Sequence, residues 1–425
     1  MLLRFWQSVV FTSILICGSL FAQSSLSLSF LPQQNQAQWI QPAYQGLDST
    51  QTWSVGGGIS FDLRNNALPI GTLNNLGATL SEERKDELLS QLPSDILLGQ
   101  SLAYGGAVNR RLGKWTVGVG YQQRLLTSGK VVGAELPGLV LKGNVAFEDQ
   151  TVMGEGGFQL ANWDEYALSG GYQHGNWQLG LRLKVLRGIQ FQDYQVNSIS
   201  LYTAPFGEYL DLAGDYEFFQ TQSGTTAGWG VGLDFGAVYQ PAPEWSVQLA
   251  MTDLGRINWN GAMRSAQFDF RYEGIDLGNV LNLNPDSFSI APPIDSLQGE
   301  VWPDSVPGQQ VMNLPVRGHI GVSWQLHSQH QVQLAVAAGP TSLYPSNLLV
   351  YVGYRYDPLT WLSAGVNGTW GTIDTYGAGA WVQALVPVAS GYRLAIFAAA
   401  DQAFGLLAPG QGMGLSAQGG ITLGF

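Results

Sequence analysis

The chain has 425 residues, of which 45% are hydrophobic, only 12% are charged and 55 are glycine, and its formal net charge is −12. A soluble domain carries about 25% charged residues, so the composition argues against one, and the acidic balance without any Lys/Arg cluster excludes a nucleic-acid partner. No apolar run of about 18 residues follows residue 22, which excludes helical membrane spans and leaves one large barrel of alternating strands as the way to use such a chain.

Arg4, the apolar stretch Val9 to Phe21 and the pair Ala22-Gln23 read as a secretory signal peptide over residues 1–22, with cleavage predicted after Ala22. Cys17, the single cysteine, falls inside it, so the mature chain has no thiol, in keeping with an oxidising compartment. Ile16 is too bulky for the small residue that precedes a lipidated cysteine, which argues against a lipoprotein. Residues 23–51 precede the first strand pattern, and Trp39, Ile40 and Tyr44 argue against a disordered tail. This segment, with Trp39, Pro42 and Tyr44, is expected to enter the barrel from its periplasmic end as a plug.

From residue 53 the hydrophobic period is two. Trp53, Val55, Gly57, Ile59, Phe61 and Leu63 form one face, and Ser54, Ser60, Asp62 and Arg64 belong to the other. Lipid on one side and water on the other produce this pattern. It returns near 96–110, 114–127, 164–174, 176–190, 228–240, 244–272, 315–327, 329–339, 347–357, 360–371, 374–387, 391–401 and 414–425. The expected fold class is therefore all-β: a transmembrane antiparallel β-barrel over 52–425 with about fourteen strands (range about twelve to sixteen, since 194–219 can add a pair). The one helical segment is 80–92, capped by Thr79 or Ser81 and placed in the first outer loop over the mouth.

Tight turns at 111–113, 174–176, 240–243, 327–329, 357–359 and 387–391 alternate with long connections at 65–95, 128–163, 191–227 and 273–314, with 371–373 as an exception. The alternation requires an even strand count and places both termini in the periplasm, the barrel in the outer membrane. A soluble sandwich also has alternating strands, but it does not call for a signal peptide, loop parity and a terminal aromatic together. At the C-terminus Ile421, Leu423 and Phe425 alternate with Gly420, Thr422 and Gly424, which resembles the signal read by the barrel-assembly machinery and also closes the sheet.

The inward set includes Arg124, Arg182, Lys184, Arg317, His319, Arg355 and Arg393, so the lumen is expected to collect positive charge. Two readings stand: pairing with acids on neighbouring strands or on the plug, which is preferred because an unpaired charge is costly there, or binding of an anionic headgroup or carboxylate. The 244–272 strand is interrupted by Asp253, Gly255, Arg256 and Trp259, which predicts a bulge or kink. It either opens the wall sideways or, as preferred, bends the strand near the periplasmic rim.

Asp276, Asp286, Asp295, Glu300 and Asp304 in the 274–314 loop are too scattered for a calcium site, so no metal is expected. Of four histidines, His174, His327 and His330 fall at turns. Ser323, on the same face as His319, is about 13 Å away by strand rise. With no nucleophile elbow or phosphate loop, neither an enzymatic role nor a cofactor is expected.

The runs QPAYQG at 41–46 and MTDLGRINW at 251–259, the strand count and the N-terminal segment together resemble the Bacteroidota outer-membrane barrels related to the long-chain fatty-acid transporter (FadL-like) superfamily. Gln41 stands where that family has Asn, and Arg256 where a hydrophobic residue is usual. The resemblance implies a plugged barrel whose hydrophobic substrates enter from outside and leave sideways through a gap in the wall, while some relatives are partners in secretion or envelope machinery. Three functions follow: a barrel that binds or passes a small hydrophobic or amphipathic molecule, a non-transporting envelope component that docks partner proteins, and a general diffusion porin. Expected partners are outer-membrane lipids, the barrel-assembly machinery, and either a hydrophobic ligand or other envelope proteins.

Overall fold

The computed structural model describes residues 26–44, 51–73, 81–133, 135–221, 226–272, 301–339, 348–371, 376–408 and 412–425. The predicted signal peptide and the loop acids Asp276, Asp286, Asp295 and Glu300 lie outside them. Sixteen strands are formed by the described residues: β1 (Trp53–Asn65), β2 (Asp95–Leu112), β3 (Trp115–Val132), β4 (Gln150–His174), β5 (Trp177–Thr203), β6 (Leu210–Gln220), β7 (Gly228–Ala242), β8 (Trp245–Tyr272), β9 (Val306–Asn313), β10 (Arg317–His327), β11 (His330–Ala338), β12 (Leu348–Leu359), β13 (Leu362–Gly371), β14 (Gly377–Ala389), β15 (Tyr392–Ala400) and β16 (Gly414–Gly424).

All strand pairs are antiparallel, and β1 closes the sheet on β16 from Ser54↔Gly424 to Arg64↔Gly414. β6 and β7 run in the same direction between β5 and β8 and share one position: β6 pairs with Gln192–Thr203 of β5, β7 with Trp177–Gly188. β9 and β10 share the position on the other flank of β8 in the same way. The wall is thus a closed barrel of fourteen strand positions.

Each of the fourteen stretches with a two-residue period holds a strand. The long connections expected at 128–163, 191–227 and 273–314 are shorter than that, because β3 runs to Val132, β4 starts at Gln150, β5 continues to Thr203, and β6 and β9 fall inside them. These extensions rise beyond the apolar belt at the end carrying the long connections, the loop end. There neither face meets lipid, so the polar–apolar contrast that marks a strand is lost.

The belt itself is legible in exposure. On β5, Leu179, Leu181, Leu183 and Val185 all point outward, with Leu183 52% exposed, and Val119, Val231, Ile320, Val352 and Val366 do the same on other strands. Apolar side chains presented to the outside in a continuous band face lipid. Paired aromatics rim the band at the end carrying the tight turns, the turn end: Trp115–Tyr172 at 4.5 Å between ring centroids, Trp177–Tyr239 at 4.4 Å and Trp245–Trp324 at 5.2 Å. On the other rim lie Tyr104, Tyr121 and Tyr166, beside an outward ion pair between Arg187 and Asp164. From Trp177 to Arg187 is about 33 Å along the strand at about 3.3 Å per residue, or about 25 Å after a strand tilt of about 40°. That is the height of a membrane band. No helix among the described residues is long and apolar enough to cross a membrane; the crossing is made by strands.

Phe425 belongs to the turn-end rim. Its ring stacks on Tyr392 at 5.6 Å and 20°, and its backbone N–H donates to the Trp53 carbonyl at 2.9 Å. Ile421 points to lipid and is 52% exposed, and Leu423 pairs with Val55 across the closure. Phe425→Ala is expected to cost about 1 kcal/mol from the lost stack, read as a lower urea midpoint for the vesicle-inserted barrel. The predicted helix spans Glu82–Gln91, and Ser81 caps it, accepting the Arg84 backbone N–H at 3.3 Å; Thr79 lies outside the described residues. Leu88 anchors it on Ala67 and Leu68 at the loop end.

Candidate functional site in the lumen

The lumen is filled in layers from the turn end. Residues 26–44 occupy the first. Their backbone makes two 3-10 turns, Leu26–Phe30 and Asn35–Trp39, and most of their side chains are buried. Their hydrogen bonds go to inward residues around the circumference. The Asn35 backbone N–H donates to Thr422 Oγ1 and its Nδ2 to the Ala107 carbonyl, both at 2.9 Å, while Gln248 Nε2 donates to Ser29 Oγ at 3.2 Å. Gln41 Nε2 donates to the Leu249 carbonyl at 3.2 Å. Tyr44 packs on Val238, and Ile40 on Trp381 and Phe397. Pro42 sits over Gly180 and Gly236, which face each other across the β5–β7 ladder. A Cβ on Gly180 would collide with the Pro42 carbonyl, and one on Gly236 with the Gln41 side chain and the Pro42 ring. Part of the glycine content is therefore the seat of this segment.

The second layer is ionic. Arg124 on β3 donates to Glu165 on β4 at 2.9 Å and to Asp253 on β8 at 2.8 Å. Lys184 on β5 lies 2.7 Å from Asp234 of β7 and 2.5 Å from Asp253. Arg182 lies 3.6 Å from Asp234, donates to the Gln38 carbonyl at 2.9 Å, and places its guanidinium 4.1 Å from the Trp39 ring centroid. All six side chains are buried. Three cations face three acids, so this layer is neutral: at Arg124, Arg182 and Lys184 the lumen does not carry the net positive charge read from the sequence.

A bulge makes this possible. β8 is continuous, contrary to the interruption expected at 253–259, but it carries two residues, Thr252 and Asp253, opposite the single Asp234 of β7. Asp253 takes φ 64°, and its backbone N–H leaves the ladder to donate to Asp234 Oδ1 at 2.7 Å. The extra residue turns its carboxylate inward. It lies eight positions from Trp245, within the belt and away from the turn-end rim where a bend was preferred. The interruptions belong instead to the neighbours of β8: β10 ends its pairing at Arg317↔Thr252 and β9 resumes at Asn313↔Arg256. At Gly255 β8 and β7 approach closely, since a Cβ there would meet the Val231 carbonyl. Arg256 points outward, and Trp259 points inward.

The third layer is apolar. Two positions beyond three of these charges stands a hydrophobe: Leu126 after Arg124, Leu186 after Lys184, and Trp163 before Glu165, whose carboxylate accepts the indole Nε1–H at 3.0 Å. With Phe191, Phe219, Ile257, Trp259, Met312 and Leu314 they form one buried cluster. Phe191 stacks on Trp259 at 5.1 Å and 14°. The cluster lies where the wall is interrupted, since the β5 ladder leaves β6 at Gln192↔Gln220 and picks up β7 at Gly188↔Gly228. Among the described residues, Thr221 and Ala227 bond across that interval, to the Phe191 and Gly188 carbonyls at 2.9 Å each. The Trp259 ring fits flat against Gly188, where a Cβ would strike it.

Residues 42–389, which include the wall residues of the ionic and apolar layers, match a family described as a family of unknown function, DUF5723. The chain belongs to that family. No curated protein sequence matches it. Among solved structures it is similar to the toluene transporter TodX of Pseudomonas putida, with 9% identity, TM-score 0.44 and 92% of each chain covered. It is also similar to a FadL homologue of Pseudomonas aeruginosa, with 12% identity, TM-score 0.48 and coverage of 92% of this chain and 93% of that one. A third is the monoaromatic hydrocarbon channel CymD, with 10% identity, TM-score 0.42 and coverage of 96% and 93%.

The DUF5723 match spans most of the inward cations. His319 is buried and Arg317 half-buried on β10, across from the ionic layer's β8 edge. Arg355 donates to Asp357 at 2.8 Å and to Ser363 at 3.1 Å near the turn end, apart from the cluster. Arg393, outside the matched span, stands opposite Gly424 at the turn-end rim. Among the described residues no group of three or more His, Cys, Asp or Glu is placed to hold a metal ion. Sequence reasoning missed Glu165 and Asp234, though both lie on the inward phase of their expected strands, and of the apolar layer it singled out Trp259 alone, as part of the irregularity in its strand.

Proposed function

We propose that this chain is an outer-membrane barrel with both termini in the periplasm, which takes up a small hydrophobic or amphipathic molecule from outside. The observation that carries the reading is the inward apolar layer of Trp163, Phe191, Phe219, Ile257 and Trp259. A water-filled porin lumen is polar, and burying several aromatics on its inner face serves no diffusion pathway for polar solutes. Beneath this layer the neutral ionic layer and residues 26–44 close the lumen, so a molecule held among the aromatics has its way on toward the lipid, where β6 and β7 are interrupted. Apolar walls with few polar groups are what small-molecule sites present.

The test is entry of the hydrophobic fluorophore N-phenylnaphthylamine into Gram-negative cells that express the barrel. Entry is expected to be several times faster than in cells expressing Ala227→Trp, because Ala227 is buried in the cluster and an indole there overfills it. If entry equals that of cells lacking the barrel, and the purified barrel conducts ions steadily in planar bilayers, the chain is a porin and the reading fails.

A further inference from the structure

The buried acids of the ionic layer all have cations; Asp193 does not. It lies on β5 two residues beyond Phe191, is 4% exposed, and pairs across the ladder with Phe219. No Lys, Arg or His among the described residues is within ion-pair distance of it. Gln310, Gln195 and Gln159 donate amide hydrogens to the carboxylate, yet Oδ1 is buried without a hydrogen-bond partner among the described residues. Burial pushes this carboxyl up and the amides hold it down; in either protonation state an acceptor oxygen is present.

A second orphan stands beside it. Trp259 is wholly buried, and its Nε1–H has no acceptor among the described residues. Gln310, which holds Asp193, is the residue directly opposite Trp259 in the β8–β9 ladder. One unmet acceptor and one unmet donor therefore lie in the same wall of the apolar layer, with Phe191 between them in contact with the indole. A buried polar group left unpaired is costly, so two of opposite kind at one place point to a ligand that meets both.

We propose that the molecule taken up by this layer carries a hydroxyl group, alcohol or phenol, which donates its hydrogen to Asp193 and accepts the indole N–H of Trp259 while its hydrocarbon part lies on Phe191 and Phe219. This rests on the reading of the layer as a site for hydrophobic molecules. The alternatives fail on inventory. A bare hydrocarbon satisfies neither group. Beside ionised Asp193 a carboxylate has no hydrogen to give and is repelled, and an ammonium ion has no lone pair for Trp259.

The experiment is a fluorescence titration of the full-length barrel in lipid nanodiscs with four probes sharing one ring system: naphthalene, naphthol, naphthoate and protonated aminomethylnaphthalene. Naphthol is expected to bind about tenfold more tightly than naphthalene, the factor that one satisfied buried pair is worth. Trp259→Phe, which keeps the stacked ring and removes the N–H, is expected to bring naphthol down to naphthalene's affinity while leaving naphthalene unchanged. Asp193→Ala is expected to do the same. Equal affinity for naphthol and naphthalene in the unmodified barrel overturns the hydroxyl assignment alone, and tightest binding by the ammonium probe replaces it with a cation site. Failure of all four probes to bind overturns both this inference and the function proposed above.

Discussion

Asp253→Ala is expected to destabilise the barrel by about 3–5 kcal/mol, the cost of leaving a buried charge uncompensated. Asp253 bonds to both Arg124 and Lys184, so its loss leaves three cations facing Glu165 and Asp234. None of these groups is exposed enough for water to take the place of the missing acid. Urea unfolding of vesicle-inserted barrel, followed by the heat-modifiable shift on gels, measures the change. The partner experiment is Asp253→Leu together with Lys184→Met, which removes one charge of each sign and is expected to recover most of the loss, because apolar replacement of a buried pair is often close to neutral. A cost below about 1 kcal/mol for Asp253→Ala, the range of exposed pairs, would mean that water reaches the layer and that it does not seal the lumen.

Gly180→Leu is expected to turn a silent barrel into a conducting one. Gly180 lies within β5 with its missing side chain directed at the Pro42 carbonyl; a leucine cannot share that space with backbone, and Pro42 is held from the other side by Gly236 and by the Gln41 bond to Leu249. The wall strand itself keeps its ladder, so residues 26–44 give way. Single-channel recording in planar bilayers is expected to show no steady conductance for the unmodified barrel and steady openings for Gly180→Leu. Gly170→Leu is the control: Gly170 is on the neighbouring strand, but a Cβ there meets nothing within 4 Å. Openings in both variants would locate the effect in the wall rather than in the seated segment.

The membrane-crossing part of this fold was open to reading because lipid imposes a strict contrast between the two faces of a strand. Leu179, Leu181, Leu183 and Val185 against Gly180, Arg182 and Lys184 is that contrast at its plainest. It fails in two places for physical reasons. Beyond the belt, in the Gln190–Thr203 stretch of β5 or in β9, no lipid is present to demand an apolar face, and strands pass for loops. At the belt's loop-end rim and just past it, Trp163, Trp259 and Phe191 are apolar on the inward side, and bulges at Ile189 and Asp253 shift the alternation by one residue, so inward hydrophobes are counted as outward ones. The site lies where both effects meet. Its cations were visible, since an arginine in an apolar strand stands out. Acids on neighbouring strands were the preferred partners, but which acids these are, and the neutrality of the layer, follow only once β3, β4, β5, β7 and β8 are brought together.

The run at 251–259 shows the same division. Gly255 and Asp253 do mark an irregularity, and Asp253 does adopt a left-handed conformation. Yet β8 carries on through it, and the gaps open in the strands beside it, at Leu314 to Val316 and between Gln220 and Gly228. Which strand of a ladder breaks is settled by pairing across the sheet, and a single strand's residues do not contain it.

The central claim is that the apolar layer receives a hydrophobic molecule. It is tested most directly by diffraction from crystals of the barrel soaked in bromonaphthalene, with data collected at the bromine edge. An anomalous peak enclosed by Trp163, Phe191, Phe219 and Trp259 is the predicted result. Peaks confined to the outer apolar belt, with none inside the lumen, would contradict it.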